Sequence, residues 1–439
     1  MDKTMFFRIL DSEMELATGC TEPGAIALTG AYAGRELAKL GDSICRMEVK
    51  ASTNIIKNAM AAGIPGTKYT GIPYAAAIGA CAAKPEKLLE VINGVSQDVY
   101  QAAEVLVESG KVKVDLAKVP QKLYIDITVY GAAHTARAVI ADLHTNLVLL
   151  EADGAEVFRA EAGAGAESAG AAVAPEQIAA FLTIRKIYDF CDKELDPAKD
   201  PIDIIREAVR VNSNICDEGL KKEYGLAIGH NLERNCREGV MTRDMTMNSM
   251  IITTAGADAR MAGAPFSVVA NSGSGNQGIT TTMPVVALAR WRDIPEEKML
   301  RAVTLSNLVA IRIKSKFGRL SAMCGASVAG TGAACGITYL LGGGYDEICH
   351  AIQNMVGDVT GMLCDGAKAD CALKISSCTN AAFQAAFMAM RGVRVQSTDG
   401  IVETDVEKTI DNFATLGNQG SGPMDAAILQ MMLNKEKEG

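Results

Sequence analysis

The chain has 439 residues, 49% of them hydrophobic and 22% charged, which is enough for two or three domains with a sizeable core. A formal net charge of −9 argues against nucleic acid as a partner, because phosphate neutralisation needs basic patches, and no block of like charge is long enough to be an interaction tail. The opening MDKTMFFRILDSEMELATG has no apolar run of signal length and no uncharged segment is greasy enough to span a bilayer, so a cytoplasmic protein without a membrane partner is expected. In that compartment twelve cysteines read as buried thiols, metal ligands or catalytic groups rather than disulfides.

In chain order, residues 5–18 have the apolar spacing of a helix. Gly19-Cys20-Thr21-Glu22-Pro23 reads as a turn, with Thr21 as N-cap and Pro23 in the first turn of a helix over about 25–40. A cysteine just ahead of a helix start feels the positive end of the dipole, which favours its thiolate; taken alone, Cys20 reads first as a buried small residue. Residues 44–52 alternate as a strand, and 54–61 look helical and carry Asn54, Lys57 and Asn58. Lys57 and Asn58 could bind a carboxylate or simply be solvated. An amphipathic helical region follows over 84–110. The runs 122–131 and 134–154 are rich in β-branched residues at period two, with a bend at His144-Thr145-Asn146. His144 reads as an acid/base group, a substrate ligand or a hydrogen-bonded structural histidine.

The first 160 residues therefore predict an α+β unit with a small, mainly antiparallel sheet. The sharpest shift in composition, EAGAGAESAGAAVAP at 161–175, places a boundary between a first unit of residues 1–165 and a second of 166–439. Beyond it the pattern is almost wholly helical.

Gly273-Ser274-Gly275-Asn276-Gln277-Gly278 satisfies the dinucleotide fingerprint and follows a β-like run. Thr280 to Thr282 and Pro284 stand where a phosphate-binding helix should open, so we read no dinucleotide site. The segment from Ser272 reads instead as a nest of backbone amides for a carboxylate or phosphate, or as a tight loop for close helix packing.

Six cysteines fall between 324 and 378. Cys324, Cys364 and Cys371 are spaced C-x39-C-x6-C, and no pair has the short spacing of zinc ribbons or ferredoxins. Two of them sit at glycine turns, MCG (323–325) and LCDG (363–366), whereas Cys335, Cys349 and Cys378 look helix-embedded and structural.

With these residues in view, the chain resembles the L-cysteine desulfidase family (UPF0597), relatives of the α-chain of iron–sulfur L-serine dehydratases. The resemblance covers essentially the whole chain. It is carried by GCTEPGAIA (19–27), STNIIKNAMAAGIPGT (52–67), HTN (144–146), NSGSGNQGI (271–279), CGASVAGTGAACG (324–336) and CDGAKADC (364–371). It implies a helical second domain and a [4Fe–4S] cluster held by Cys324, Cys364 and Cys371 with the fourth iron open. It also implies Cys20 as the proton acceptor. Further roles follow as expectations: the carboxylate of a small amino-acid substrate on Ser272, Gly273, Ser274, Gly275, Asn276 and Gln277, its ammonium on Glu22, and its other polar groups on Asn54, Lys57 and His144.

The expected reaction is β-elimination of L-cysteine to pyruvate, ammonia and hydrogen sulfide, with L-serine dehydration as the alternative within the same chemistry. A non-catalytic iron–sulfur or zinc redox sensor is the reading from another class. The chain closes in NKEKEG, without the cysteine that caps the open iron in the serine dehydratase branch, and this favours the desulfidase-like branch. A methionine-rich, small-residue helical domain could also bury a homodimer face.

Overall fold

The structure, a computed structural model, describes residues 3–18, 21–64, 66–160, 173–317 and 321–435. Cys20 and most of the proposed 161–175 boundary lie outside the described residues.

The first part of the chain forms α1 (Lys3–Glu13), β1 (Met14–Thr18), α2 (Thr21–Lys39), β2 (Arg46–Ala51), α3 (Thr53–Ala59) and α4 (Ile72–Ala82). A 3-10 turn (Pro85–Glu90), α5 (Gln97–Glu108), β3 (Val112–Leu116), β4 (Tyr124–Tyr130), β5 (Thr135–Ala141), β6 (Leu147–Ala152) and β7 (Ala155–Arg159) follow. The second part is helical but for one strand. It comprises α6 (Pro175–Phe181), α7 (Ile184–Asp189), a π turn (Phe190–Glu194), α8 (Asp203–Lys221), α9 (Ile228–Arg237), α10 (Met245–Met261), β8 (Ser267–Asn271) and α11 (Gly275–Trp291). It ends with α12 (Glu296–Phe317), α13 (Gly325–Leu340), α14 (Tyr345–Val359), α15 (Cys371–Ala389), α16 (Val406–Asn418) and α17 (Gly422–Lys435). The chain is α+β, as the periodicities predict. Among the described residues no helix is long and apolar enough to cross a membrane.

Six strands form one sheet in the order β3-β2-β4-β5-β6-β7, antiparallel except for the β2–β3 pair. The expected bend at His144 is the turn between β5 and β6. Helix α2 covers the sheet and packs on α4 backbone to backbone. A Cβ on Gly34 would stand 2.1 Å from Ala80 O, and one on Gly79 2.0 Å from Ala27 O. Ile26, Leu28, Val49, Ile125 and Ile127 fill the resulting core.

Three readings need correction. Helix α1 stops at Glu13, and Met14–Thr18 forms an antiparallel ribbon with β8, some 250 residues on. Helical spacing could not reveal a partner so distant in sequence. Residues 84–110 are a 3-10 turn broken at Leu88 (φ 51°) and then α5, not one helical stretch. The second helix begins at Thr21 itself, so Thr21 lies in the helix rather than capping it.

The two ends of the described chain cross between the cores. Phe6 of α1 stacks on Phe190 at 4.1 Å, and Phe6, Ile9 and Leu10 belong to the helical core. Helix α17, though last in order, lies against α3 and puts Leu429 into the core of the first part.

Candidate active site

After β8 the chain reverses through Ser272 (φ 49°) and Gly273 (φ 79°), and the backbones of Asn271 and Ser274 bond each other in both directions across them. Two successive positive φ values are the mark of a type I′ turn, and a serine held there is strained. Helix α11 opens directly afterwards, with Ser274 Oγ accepting from the Gln277 amide at 3.3 Å. The helix expected not to form here does form. Thr280 and Thr281 turn their hydroxyls onto carbonyls of the preceding turn, which removes the competition they would offer. The strand–turn–helix context of the fingerprint is thus present. It is still no βαβ unit, because β8 pairs antiparallel with β1.

The nest is smaller than the sequence suggests. The Ser272 amide donates to Glu13 O and the Ser274 amide to Asn271 O. What remains for a ligand are the amides of Gly273, Gly275 and Asn276, since those of Gln277 and Gly278 donate to Ser274.

A buried polar network behind the turn fixes the orientation of Gln277. Asn307 Nδ2 donates to Val303 O, so Asn307 Oδ1 accepts from Asn271 Nδ2 at 2.9 Å and from Thr281 Oγ1 at 2.8 Å. Asn271 Oδ1 then accepts from Ser272 Oγ at 3.0 Å and from Gln277 Nε2 at 2.9 Å. Gln277 Oε1 is left buried without a hydrogen-bond partner among the described residues. Its side chain therefore presents an acceptor, whereas the expected place on a substrate carboxylate asks for a donor.

Cys324 and Cys364 are brought together by a contact that no spacing rule contains. Met323 and Leu363 form an isolated antiparallel bridge, the Cys324 amide donates to Met362 O at 2.9 Å, and the Cys364 amide donates to Ala322 O at 2.7 Å. Cys371 opens α15 with its Sγ 3.5 Å from Gly366 O. Gly366 has φ 106°, and a Cβ there would stand 2.2 Å from Lys57 O, so the cysteine loop rests directly on α3.

All three cysteines line one cavity of about 120 Å³. Thr21 and Glu22 open α2, Asn276 and Gln277 lie in the first turn of α11, Gly325 opens α13 and Cys371 opens α15, and all of them line it too. Four helix N-termini thus direct their positive ends at one space, a setting for thiolates and anionic groups. An adjoining chamber of about 110 Å³ shares Glu22, Asn58, Gln277 and Cys364 and adds half-buried His144 and buried Lys314.

Burial pushes the Cys324 thiol up to about 12, with Cys364 nearby adding to the rise, and pushes Cys371 up to about 11. Burial also works against the Asp365 carboxylate, yet ion pairs with Lys368 and Lys374 hold it at about 2. Among the described residues no three His, Cys, Asp or Glu side chains gather tightly enough to chelate a single ion. Three thiols spread round one cavity suit an iron–sulfur cluster, whose cysteines bind different irons. Iron would also supply the positive charge that buried Cys324 and Cys371 need to bind as thiolates.

The predicted residues divide as follows. Glu22, Gly273, Ser274, Asn276 and Gln277 share the main cavity with the three cysteines, while Ser272 and His144 line the adjoining chamber. Gly275 lies between residues that line the cavity but does not line it itself. Asn54 and Lys57 do not line either space. Asn54 is buried, and Lys57 points the other way, its Nζ 2.5 Å from Asp425 Oδ1 on α17. An ion pair with a residue 368 positions away left no trace in the local sequence.

The cavity gains Asn58 and Arg260, which the assignment of site residues left out. Asn58 Nδ2 donates to Glu22 Oε1 at 3.1 Å, while Thr21 Oγ1 donates to Glu22 Oε2 at 3.1 Å. Asn58 Oδ1, like Gln277 Oε1, is buried without a hydrogen-bond partner among the described residues. Arg260 donates through Nη1 to Asn276 Oδ1 at 3.1 Å. The one hint in the sequence was an arginine within the small-residue run TTAGADARMAG, where a charge has no place in a plain packing helix.

Residues 86–430 match the serine dehydratase alpha chain family. A UPF0597 protein of Oleidesulfovibrio alaskensis is 42% identical, covering 98% of both chains. One of Chromobacterium violaceum is 39% identical over 98% of this chain and 97% of its own, and one of Clostridium perfringens is 38% identical over 99% of each. With nearly its whole length matched at these identities, the chain belongs to the UPF0597 family, which is related to the serine dehydratase alpha chain.

Proposed function

We propose that the protein is an iron–sulfur-dependent β-elimination lyase that converts L-cysteine and water to pyruvate, ammonia and hydrogen sulfide. The family supports a dehydratase-type lyase. The observation that supports a small amino acid as substrate is the cavity itself, where three thiols face Glu22 and the partnerless acceptors Asn58 Oδ1 and Gln277 Oε1. A small ligand with several N–H donors, such as an α-ammonium group, would satisfy all three, and unmet buried acceptors are costly to leave.

Cys324, Cys364 and Cys371 would hold a [4Fe–4S] cluster. With one iron free of protein ligands, such a cluster supplies a Lewis acid for the β-substituent of the substrate. Glu22, Asn58 and Gln277 hold the ammonium group. Arg260, with the Gly273 amide and the first turn of α11, holds the carboxylate. The α-carbon is thereby fixed between the two, and Cys20 accepts its proton. That step needs a positioned base because the α-hydrogen is weakly acidic. The aminoacrylate released becomes an imine and hydrolyses to pyruvate and ammonia. His144, at the edge of the adjoining chamber, stands beside the same space.

L-Serine is the second substrate to test, since its hydroxyl occupies the place of the thiol. The test is anaerobic purification with iron and sulfide determination, then sulfide release from L-cysteine beside pyruvate release from L-serine. Sulfide and pyruvate in equal amounts are expected. Pyruvate from serine alone would move the assignment to a dehydratase, and zinc with neither activity would overturn it. Cys364→Ala should lose iron and sulfide together, whereas Cys20→Ala should keep both and lose most turnover.

A further inference from the structure

Lys57 is the largest polar side chain buried in the first part of the molecule, and its ammonium is almost wholly removed from water. Its partner, Asp425, lies in the first half of α17, which packs against α3 and lines neither the cavity nor the adjoining chamber. The same helix carries Leu429 into the first core, so α17 is held both by a charge and by apolar packing. On the other side, the Lys57 carbonyl stands where a side chain on Gly366 would have to go, in the loop between Cys364 and Cys371. The next residue, Asn58, donates to Glu22 in the cavity. Helix α3 is thus clamped between α17 and the cysteine loop, and its last turn faces the site. A charge buried this deeply tolerates little displacement from its partner, because separation leaves it unpaired away from water.

We propose that the Lys57–Asp425 ion pair is a positioning device, seating α3 on the loop of the site cysteines and so holding Asn58 and Glu22 at the cavity. What α3 positions rests on the lyase reading above; whether the pair seats α3 does not.

The experiment compares wild type, Asp425→Asn and Asp425→Glu by hydrogen exchange, iron content and kinetics with L-cysteine, all under anaerobic conditions. Asp425→Asn should raise exchange at least tenfold in α3 and in residues 364–371 as well as in α17, with α8 and α12 unchanged. It should also raise KM at least fivefold. Asp425→Glu, which keeps a carboxylate, should recover most of both effects. A change confined to α17, or equal damage from both substitutions, would overturn the proposal. If Asp425→Asn is recovered only as aggregate, the double variant Lys57→Met/Asp425→Met, which buries no unpaired charge, takes its place. It should keep α17 protected while residues 364–371 exchange faster, and wild-type exchange throughout would overturn the proposal equally. Exchange is read without turnover, so a wild type lacking lyase activity would sink the function and leave this test intact.

Discussion

At the scale of the residue, the decisive feature is which end of an amide faces the cavity. Gln277 is pinned through Nε2 by a network anchored on two backbone carbonyls, and its free oxygen is set by that chain of bonds. Gln277→Met, of similar volume, should raise KM for L-cysteine about tenfold, the worth of one hydrogen bond to a charged group, with kcat within about threefold. An equal fall in kcat at unchanged KM would remove Gln277 from ground-state binding. Asp258 makes a separate prediction. Burial pushes its carboxyl up to about 6, against the amides of Gly229 and Ile228 at the start of α9 and the charge of nearby His230. The folded state therefore holds this proton more tightly than the unfolded chain. Its contribution to stability is complete below about pH 4 and is lost as pH rises through 6. Urea unfolding at pH 4.5 and pH 7.5 should show a loss of about 2 kcal/mol in wild type that is missing from Asp258→Asn. A parallel loss in both would show that the carboxyl is not the group responsible. Neither Gln277 Oε1 nor Asp258 could be singled out from sequence, because each is defined by what surrounds it.

At the scale of the element, much was legible and the exceptions have a common cause. The strands β4 and β5 and the long helices announce themselves through local period, since their neighbours are near in sequence or their faces are continuous. The strand β1 and the pairing of Met323 with Leu363 do not, since each is completed by a partner far away in the chain. The C-x39-C spacing therefore looked weak, although the bridge makes Cys324 and Cys364 neighbours as surely as a short motif would. The resemblance in motifs supplied the cysteine set that spacing withheld. The loop after Cys364 has its own requirement. Gly366→Ala would place a methyl against Lys57 O and force a left-handed conformation on alanine. It should cost roughly 2–5 kcal/mol and lower iron retention, as checked by urea midpoint and iron per chain. Wild-type stability with full iron would mean that α3 and the loop can part freely.

At the scale of the whole molecule, the cavity is lined from both cores, with Glu22 and Asn58 from the α+β part and the cysteines and the α11 turn from the helical part. Composition along the chain gave no sign that α1 joins the helical core and α17 the core of the first part. Amphipathic pattern says that a helix has a face to bury and is silent about which core receives it.

That crossing carries a consequence for the order of assembly. A chain leaves the ribosome from its first residue onward, and domains made early can close early. Here Lys57 is made long before Asp425, and the apolar seat for Leu429 stays open until α17 has been synthesised. The nascent first part cannot reach its final packing while the rest is still emerging, and the three thiols are likewise complete only after Cys371. The cysteine-lined cavity is thus completed late in translation, when nearly the whole chain is outside the tunnel.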